Sequence, residues 1–380
     1  MKFWGIFLLS LVLTACDQPQ AVHQVASGQD LLEFMQPVAG FQQPAALEPD
    51  ATSLHAAHPA QRIDIWTATL WLQDETGEAY SSQLTMLRLA LRPARPDEQG
   101  PQQGPQQGPA QSLWATQALY SARLSLNSGR QHSHTERLSR AALGLAGASE
   151  QGVWLEQWRM LLPQDKTGTF ELYAVGDDFT LSLHNLNHAV PKPRPLTLVP
   201  GLPASPVGYV QTPLPVSGEI EQTGTSRAVN GQVWFDHFWG NGLPLGRGQL
   251  GVVHVRALLS NGLALQCLQL RRRNGGGTPI GGCTVFALPG FTSVVPTGSL
   301  SLDRRKVQLN PTTKAGHLPV QWLLESSEPA LSLRIQAAHT GADSNSIISR
   351  PARVEGTYAG TPVTGQAWLE LSGWSEPLES

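Results

Sequence analysis

The sequence predicts an all-β protein: two antiparallel β-barrels in tandem, preceded by a lipoprotein signal and a flexible tether. Three observations carry that expectation. Apolar and polar residues alternate with period two. Phe179, Leu181 and Leu183 alternate with Thr180, Ser182 and His184, and Leu331, Leu333 and Ile335 with Ser332, Arg334 and Gln336. Strands of that kind bury one face and wet the other, as antiparallel sheets do. Turn signals recur between such runs, at residues 74–77, 165–168, 176–178 and 260–262,. No segment of helical period competes, and closing many strands into barrels removes exposed edges.

Composition sets the outer bounds. The chain has 380 residues, room for two domains of ordinary size,. Hydrophobic residues make up 41% and charged residues 14%, with 37 Gly and 29 Pro. That balance suits a turn-rich β protein outside the cytoplasm. Net charge is −3 and no Lys/Arg block stands out, which argues against nucleic acid as a partner.

Residues 1–15 read as a lipoprotein signal peptide. Lys2 precedes the apolar run 3–13, and Leu13-Thr14-Ala15-Cys16 sets small residues before a cysteine,. The run is too short to span a bilayer comfortably. Thr14-Ala15 also suits an ordinary secretory signal, and the cysteine is what separates the two. Cleavage before Cys16 and lipidation of its thiol would tether the protein through several acyl chains, palmitate among them. The expected location is the cell envelope, on a membrane and facing the periplasm. Asp17 resembles the inner-membrane retention signal of enteric lipoproteins.

Residues 16–50, rich in Gln, Ala, Pro and Asp, read as the tether, with a short helix at 30–35,. The N-terminal barrel is expected over 51–245 and the C-terminal barrel over 246–380. Within the first, residues 93–111 repeat Gly-Pro-Gln-Gln and read as a disordered loop between strands,. The runs 70–88 and 253–271 share a strand, turn, strand, arginine plan, which reads as the opening hairpin of each barrel. Cys267 and Cys283 flank a Gly-rich turn centred on residue 275. A hairpin there sets the thiols opposite each other, close enough for a disulfide; two free buried thiols are the alternative.

The densest chemistry lies in Gly231-Gln232-Val233-Trp234-Phe235-Asp236-His237-Phe238-Trp239. In a regular strand Trp234, Asp236 and Phe238 face one side, and Phe235, His237 and Trp239 the other. Asp236 and His237 therefore share a site only at a bulge or strand end. An acid in an aromatic-walled cavity stays protonated by desolvation and donates a proton. The structural alternative is an Asp236 that accepts turn hydrogen bonds and a satisfied core His237. A second cluster is His55, His58 and the run Arg62-Ile63-Asp64-Ile65-Trp66, where Asp64 and Trp66 share a face and can line one cavity. His132 and His134 also share a strand face, but two ligands make no metal site,. No metal and no cofactor are expected. Gly-x-Ser-x-Gly, His-Glu-x-x-His and Walker motifs are absent from the sequence,.

The order of motifs resembles the secreted AttH-like proteins, relatives of carotenoid 1,2-hydratase often labelled predicted secreted hydrolases. The resemblance runs from about His55 to Trp374. It rests on His58-Pro59 with Arg62, Asp64 and Trp66; on Gln83-Leu84-Thr85-Met86-Leu87-Arg88; and on Trp114, Gln117 and Tyr120. Arg140, residues 144–147, Trp154 and Trp158 continue it, then residues 231–239, Pro319, Trp322, Glu355-Gly356 and residues 369–374. The resemblance implies two tandem lipocalin-like barrels, a cavity for a hydrophobic molecule and, in the carotenoid enzymes, acid-catalysed hydration of a carbon–carbon double bond. Asp236 would be the acid and His237 its tuner, with Asp64, Trp66, Trp234 and Trp239 around the ligand. It also implies an accessory role beside ABC transporter subunits. Asp64 stands where the family has Glu, Ile65 where it has Trp, Thr67 where it has Tyr and Phe238 where it has Glu; residues 251–254 lack both tryptophans of the family's Gly-Trp-Asp-Trp. The signal ending at Cys16, the barrel pattern and this thinned aromatic set together point to a membrane-anchored periplasmic protein that binds a lipid- or isoprenoid-like molecule. A hydratase or hydrolase using Asp236 and His237 is the alternative.

Overall fold

The period-two runs form long strands paired with their sequence neighbours, as the alternation requires. A computed structural model describes residues 38–44, 54–93, 116–129, 131–162, 169–185, 192–198, 205–242, 250–272, 279–288, 295–298, 301–309, 317–327, 330–338 and 347–373. Cys16, the helix expected at 30–35, residues 94–111 of the repeat segment and the turn at 165–168 lie outside the described residues.

The first sheet contains β1 (Ile63–Asp74), β2 (Ala79–Ala90), β3 (Ala118–Ser128), β4 (Gln131–Arg140), β5 (Ala146–Ser149), β6 (Gly152–Leu155), β7 (Trp158–Leu161), β8 (Glu171–Val175), β9 (Phe179–Asn185), β10 (Arg194–Thr197), β11 (Val207–Gln222) and β12 (Thr225–Gly240). Its order is β4-β3-β2-β1-β12-β11-β9-β8-β7-β6-β5, with β10 beside β11. Pairing of β1 with β12 turns the meander into a nearly closed barrel. Side chains close the remaining seam. Ser133 Oγ donates to Asp178 Oδ2 at 2.7 Å, the Asp177 amide donates to Thr135 Oγ1 at 2.9 Å, and the Arg137 guanidinium lies over Trp158.

The second sheet contains β13 (Leu250–Leu259), β14 (Leu263–Arg272), β15 (Ile280–Ala287), β16 (Val295–Gly298), β17 (Ser301–Leu309), β18 (His317–Ser327), β19 (Ala330–Ala337), β20 (Ile347–Tyr358) and β21 (Thr361–Ser372). It repeats the plan: β13, first in sequence, pairs with β21, the last, in the order β16-β15-β14-β13-β21-β20-β19-β18-β17. Among the described residues the curled sheet forms a half-barrel, the second unit of the tandem. The hairpins β1–β2 and β13–β14 open the two sheets, and Gly77 and Gly262 take the left-handed turn positions at φ of 86° and 78°,. Cys267 and Cys283 are directly opposed across β14 and β15 and are joined as a disulfide.

Each barrel has its own apolar interior. Trp66, Leu70, Leu84, Trp158, Phe170 and Phe235 fill the first; Val255, Leu265, Trp322, Leu333 and Leu369 lie in the second. Outer faces also pack on each other. Trp71, Val210 and Trp234 of the first sheet meet Leu258, Ala264, Phe286 and Trp368 of the second. Leu198 and Phe238 meet Val252, Leu268 and Leu270. Each large apolar side chain so buried contributes on the order of 1.5–3 kcal/mol. Double-sided burial explains why β13 is buried along its whole length, where a lone barrel would wet alternate residues.

Candidate functional site

Strand β12 divides the candidate chemistry between two places. Its side chains alternate, so Phe235, His237 and Trp239 point into the first barrel while Trp234, Asp236 and Phe238 point toward the second,. No bulge brings Asp236 and His237 together: β12 stays in unbroken register with β1 from Val229 to Gly240. The expected Asp236–His237 acid pair is therefore not formed.

Inside the first barrel, register sets Trp66 and Tyr209 on either side of His237, and Asp64 beside both Trp239 and Arg88. Asp64 is fully buried. Its Oδ1 accepts from the His58 amide at 3.0 Å and from His58 Nδ1 at 2.9 Å, and its Oδ2 accepts from Arg88 Nη1 at 2.8 Å. Burial pushes its carboxyl up, but the imidazoles of His237 and His58 and the Arg88 guanidinium outweigh that and hold it well below the usual carboxylate range. His237 donates from Nδ1 to the Leu54 carbonyl at 2.9 Å, and burial pushes its imidazole down, against the pull of Asp64. Trp66 stacks on His237 at 4.5 Å, and His58 stacks on Trp239 at 3.7 Å. Trp66 Nε1 donates to the His55 carbonyl at 3.2 Å, and the His55 ring bonds the Tyr209 hydroxyl. Residues 54–58 are thus strapped across the barrel mouth by side chains from within it.

Between the barrels lies a cleft of about 490 Å³. Ile65, Thr85, Leu87 and Phe238 of the first sheet and Val252 and Leu268 of the second give it mostly apolar walls, and Leu138, 72% exposed, sits on its lining. One polar cluster also reaches it. Arg256 Nε donates to Asp236 Oδ2 at 2.6 Å, Nη2 to Asp236 Oδ1 at 3.3 Å, and Nη1 to Glu370 Oε2 at 2.5 Å. Trp234 Nε1 donates to Asp236 Oδ2 at 3.0 Å. His254 Nδ1 lies 3.2 Å from Glu370 Oε2, and its Nε2 lies 3.0 Å from Gln266 Nε2. Burial pushes Glu370 up, but Arg256 and His254 outweigh it and hold the carboxyl well below the usual range. Burial and the Arg256 charge push His254 down. The third carboxylate on the lining, Glu136, accepts from Arg123 Nε at 2.7 Å. Among the described residues, every carboxylate on the cleft wall is thus bonded to an arginine.

Of the expected site residues, Asp236 alone lines this cleft. Asp64, Trp66, His237 and Trp239 cluster inside the first barrel, and Trp234 braces Asp236 from the barrel junction. The sequence reading missed Arg88, His254, Arg256, Gln266 and Glu370. Period two was the available signal: His254 and Arg256 share the face of β13 opposite Val253, Val255 and Ala257. Two basic residues on a face that also carries Val252 and Leu258 mark it as polar and covered.

Fold and site define a class: a two-barrel β protein with an apolar cleft at the barrel junction. The AttH-like family model matches residues 48–374, and the chain belongs to that family. An AttH protein of Nitrosomonas europaea is 22% identical with a TM-score of 0.68, covering 89% of this chain and 100% of that one. Kievitone hydratase of Nectria haematococca is 11% identical with a TM-score of 0.54, covering 88% of this chain and 98% of that one. These likenesses show a fold shared with a hydratase. No curated protein matches the sequence.

Proposed function

We propose that the protein is a membrane-anchored periplasmic lipoprotein that binds a hydrophobic, lipid- or isoprenoid-like molecule in the cleft between its barrels, as an accessory to an ABC exporter. The observation that carries the binding role is the cleft itself: about 490 Å³ of mostly apolar wall, a size suited to a small lipid-like molecule. The motif at Cys16 supports the anchor. The exporter partnership rests on the family resemblance.

A second reading, a hydratase, is favoured by Asp236, which lines the cleft in a chain whose fold is shared with kievitone hydratase. Acid catalysis needs a carboxylic acid aimed at the alkene. Asp236 instead accepts from Trp234 and twice from Arg256. Binding is therefore the reading the geometry favours.

Native mass spectrometry with lipid extraction, on protein purified from its own periplasm, tests it. An apolar molecule should co-purify at one per chain. Thr85→Trp, which fills the cleft from β2, should cut occupancy at least about tenfold, ~1.4 kcal/mol, with an unchanged far-UV spectrum. A chain that is empty under every growth condition, or an occupancy indifferent to Thr85→Trp, would sink the proposal.

A further inference from the structure

The cluster inside the first barrel has a polar atom that its surroundings leave unused. His237 Nε2 is fully buried and makes no hydrogen bond. Its other nitrogen donates to the Leu54 carbonyl, which fixes the tautomer and leaves Nε2 with a bare lone pair,. That lone pair faces Asp64 Oδ1 at 3.4 Å. Asp64 Oδ1 already accepts from the His58 amide and His58 Nδ1, so the unpartnered atom is the His237 lone pair, and a cation held between it and the carboxylate would satisfy it,.

We propose that His58 Nδ1, Asp64 Oδ1 and His237 Nε2 bind a divalent transition-metal ion of the zinc type. One ligand atom from each of the three residues lies within 4.8 Å of the other two. Two ligand atoms on one tetrahedral zinc ion stand about 3.3 Å apart, given bonds of ~2.0–2.1 Å. The pairs here are 2.9 Å for His58–Asp64 and 3.4 Å for His237–Asp64. Two imidazoles and one carboxylate are a donor set that zinc and its neighbours accept. The supporting contacts are in place. Ligating histidines usually give their other N–H to a carbonyl, as His237 does to Leu54,. Arg88 bonds Oδ2, so it orients the carboxylate and leaves Oδ1 turned to the imidazoles. Stacking on Trp66 and Trp239 holds both rings. His58, a quarter exposed, gives the ion a way in. To ligate, a neutral His58 moves its proton from Nδ1 to the outer Nε2 and gives up its Nδ1 hydrogen bond to Asp64 Oδ1, which the ion replaces. The bound ion would clasp the strap that carries His58 to β1 and β12.

The test uses the full chain, stripped with chelator and titrated with Zn²⁺ by calorimetry, alongside thermal melting. Binding should be one ion per chain with Kd below about 1 μM, about 8 kcal/mol, and should raise Tm. His58→Ala should weaken binding at least about tenfold and shrink the Tm rise at equal Zn²⁺ concentration. That variant removes the partly exposed ligand, so it serves where His237→Gln fails to fold. His132 and His134, stacked on the outer face of β4, offer a competing surface site, and H132A/H134A should leave the titration unchanged. No stoichiometric binding, binding unaltered in His58→Ala, or binding lost in H132A/H134A would each overturn the assignment.

Discussion

Arg256 holds two carboxylates from different barrels, and its position decides what those carboxylates can do. Burial pushes its guanidinium down, but Asp236 and Glu370 raise it further still, so the side chain stays charged. Removing one partner of a buried ion pair leaves an uncompensated charge, at about 3–5 kcal/mol. Arg256→Met strands two carboxylates at once and should cost that much in urea unfolding. Asp236→Asn should cost less, because Arg256 keeps Glu370 at 2.5 Å. An Asp236→Asn variant as unstable as Arg256→Met would show that the arginine is not the hub.

At the scale of strands, the site depends on how closely β1 and β12 approach. A Cβ on Gly231 would lie 2.0 Å from the Trp71 carbonyl oxygen and 2.9 Å from Leu72 Cα. Backbone on the neighbouring strand is what it would strike, so the strands must part. Gly231→Ala should cost about 1–3 kcal/mol, as overpacking does. Gly242→Ala, where nothing lies within 4 Å, should be nearly neutral. Equal melting temperatures for the two variants would contradict this account. The same pairing carries the chemistry, because β1 and β12 set Trp66 against His237 and Thr67 against Asp236.

For the whole molecule, the barrel junction should be acid-sensitive, as should the Asp64–His237 cluster inside the first barrel. His254 faces Glu370, Arg256, Asp236 and Gln266 across β13, β14, β21 and β12. Burial and Arg256 lower its proton affinity below its ordinary 6.5, so the unfolded chain binds that proton more readily. Glu370 is likewise held below its ordinary 4.5. Both shifts make stability rise with pH. The His254 contribution is complete above about 6.5 and declines as pH falls below it. That of Glu370 is complete above about 4.5 and is lost as pH falls toward its depressed value. Urea midpoints from pH 8 to pH 3 should therefore fall in two stages; His237, also pushed below its ordinary value by burial, adds to the first, so His254→Gln should shrink that stage and leave a remainder,. A midpoint flat down to pH 5 in the wild-type chain would refute the first stage.

The sequence by itself determined the strands, their turns and the two faces of each. Phe179, Leu181 and Leu183 are buried as their alternation requires, and Trp234, Asp236 and Phe238 part from Phe235, His237 and Trp239 as a regular strand demands. Those features are local, because successive Cβ atoms must point to opposite sides of a strand. Only the tertiary structure decided the partners. Asp236 meets Arg256 of the second barrel, and Arg256 meets Glu370 at a separation of 114 residues. Asp64 meets His237 on the strand that closes its own barrel. Alternation says which residues share a face. Which outer face covers another is settled by how two curved sheets pack, and nothing local in the chain encodes that contact.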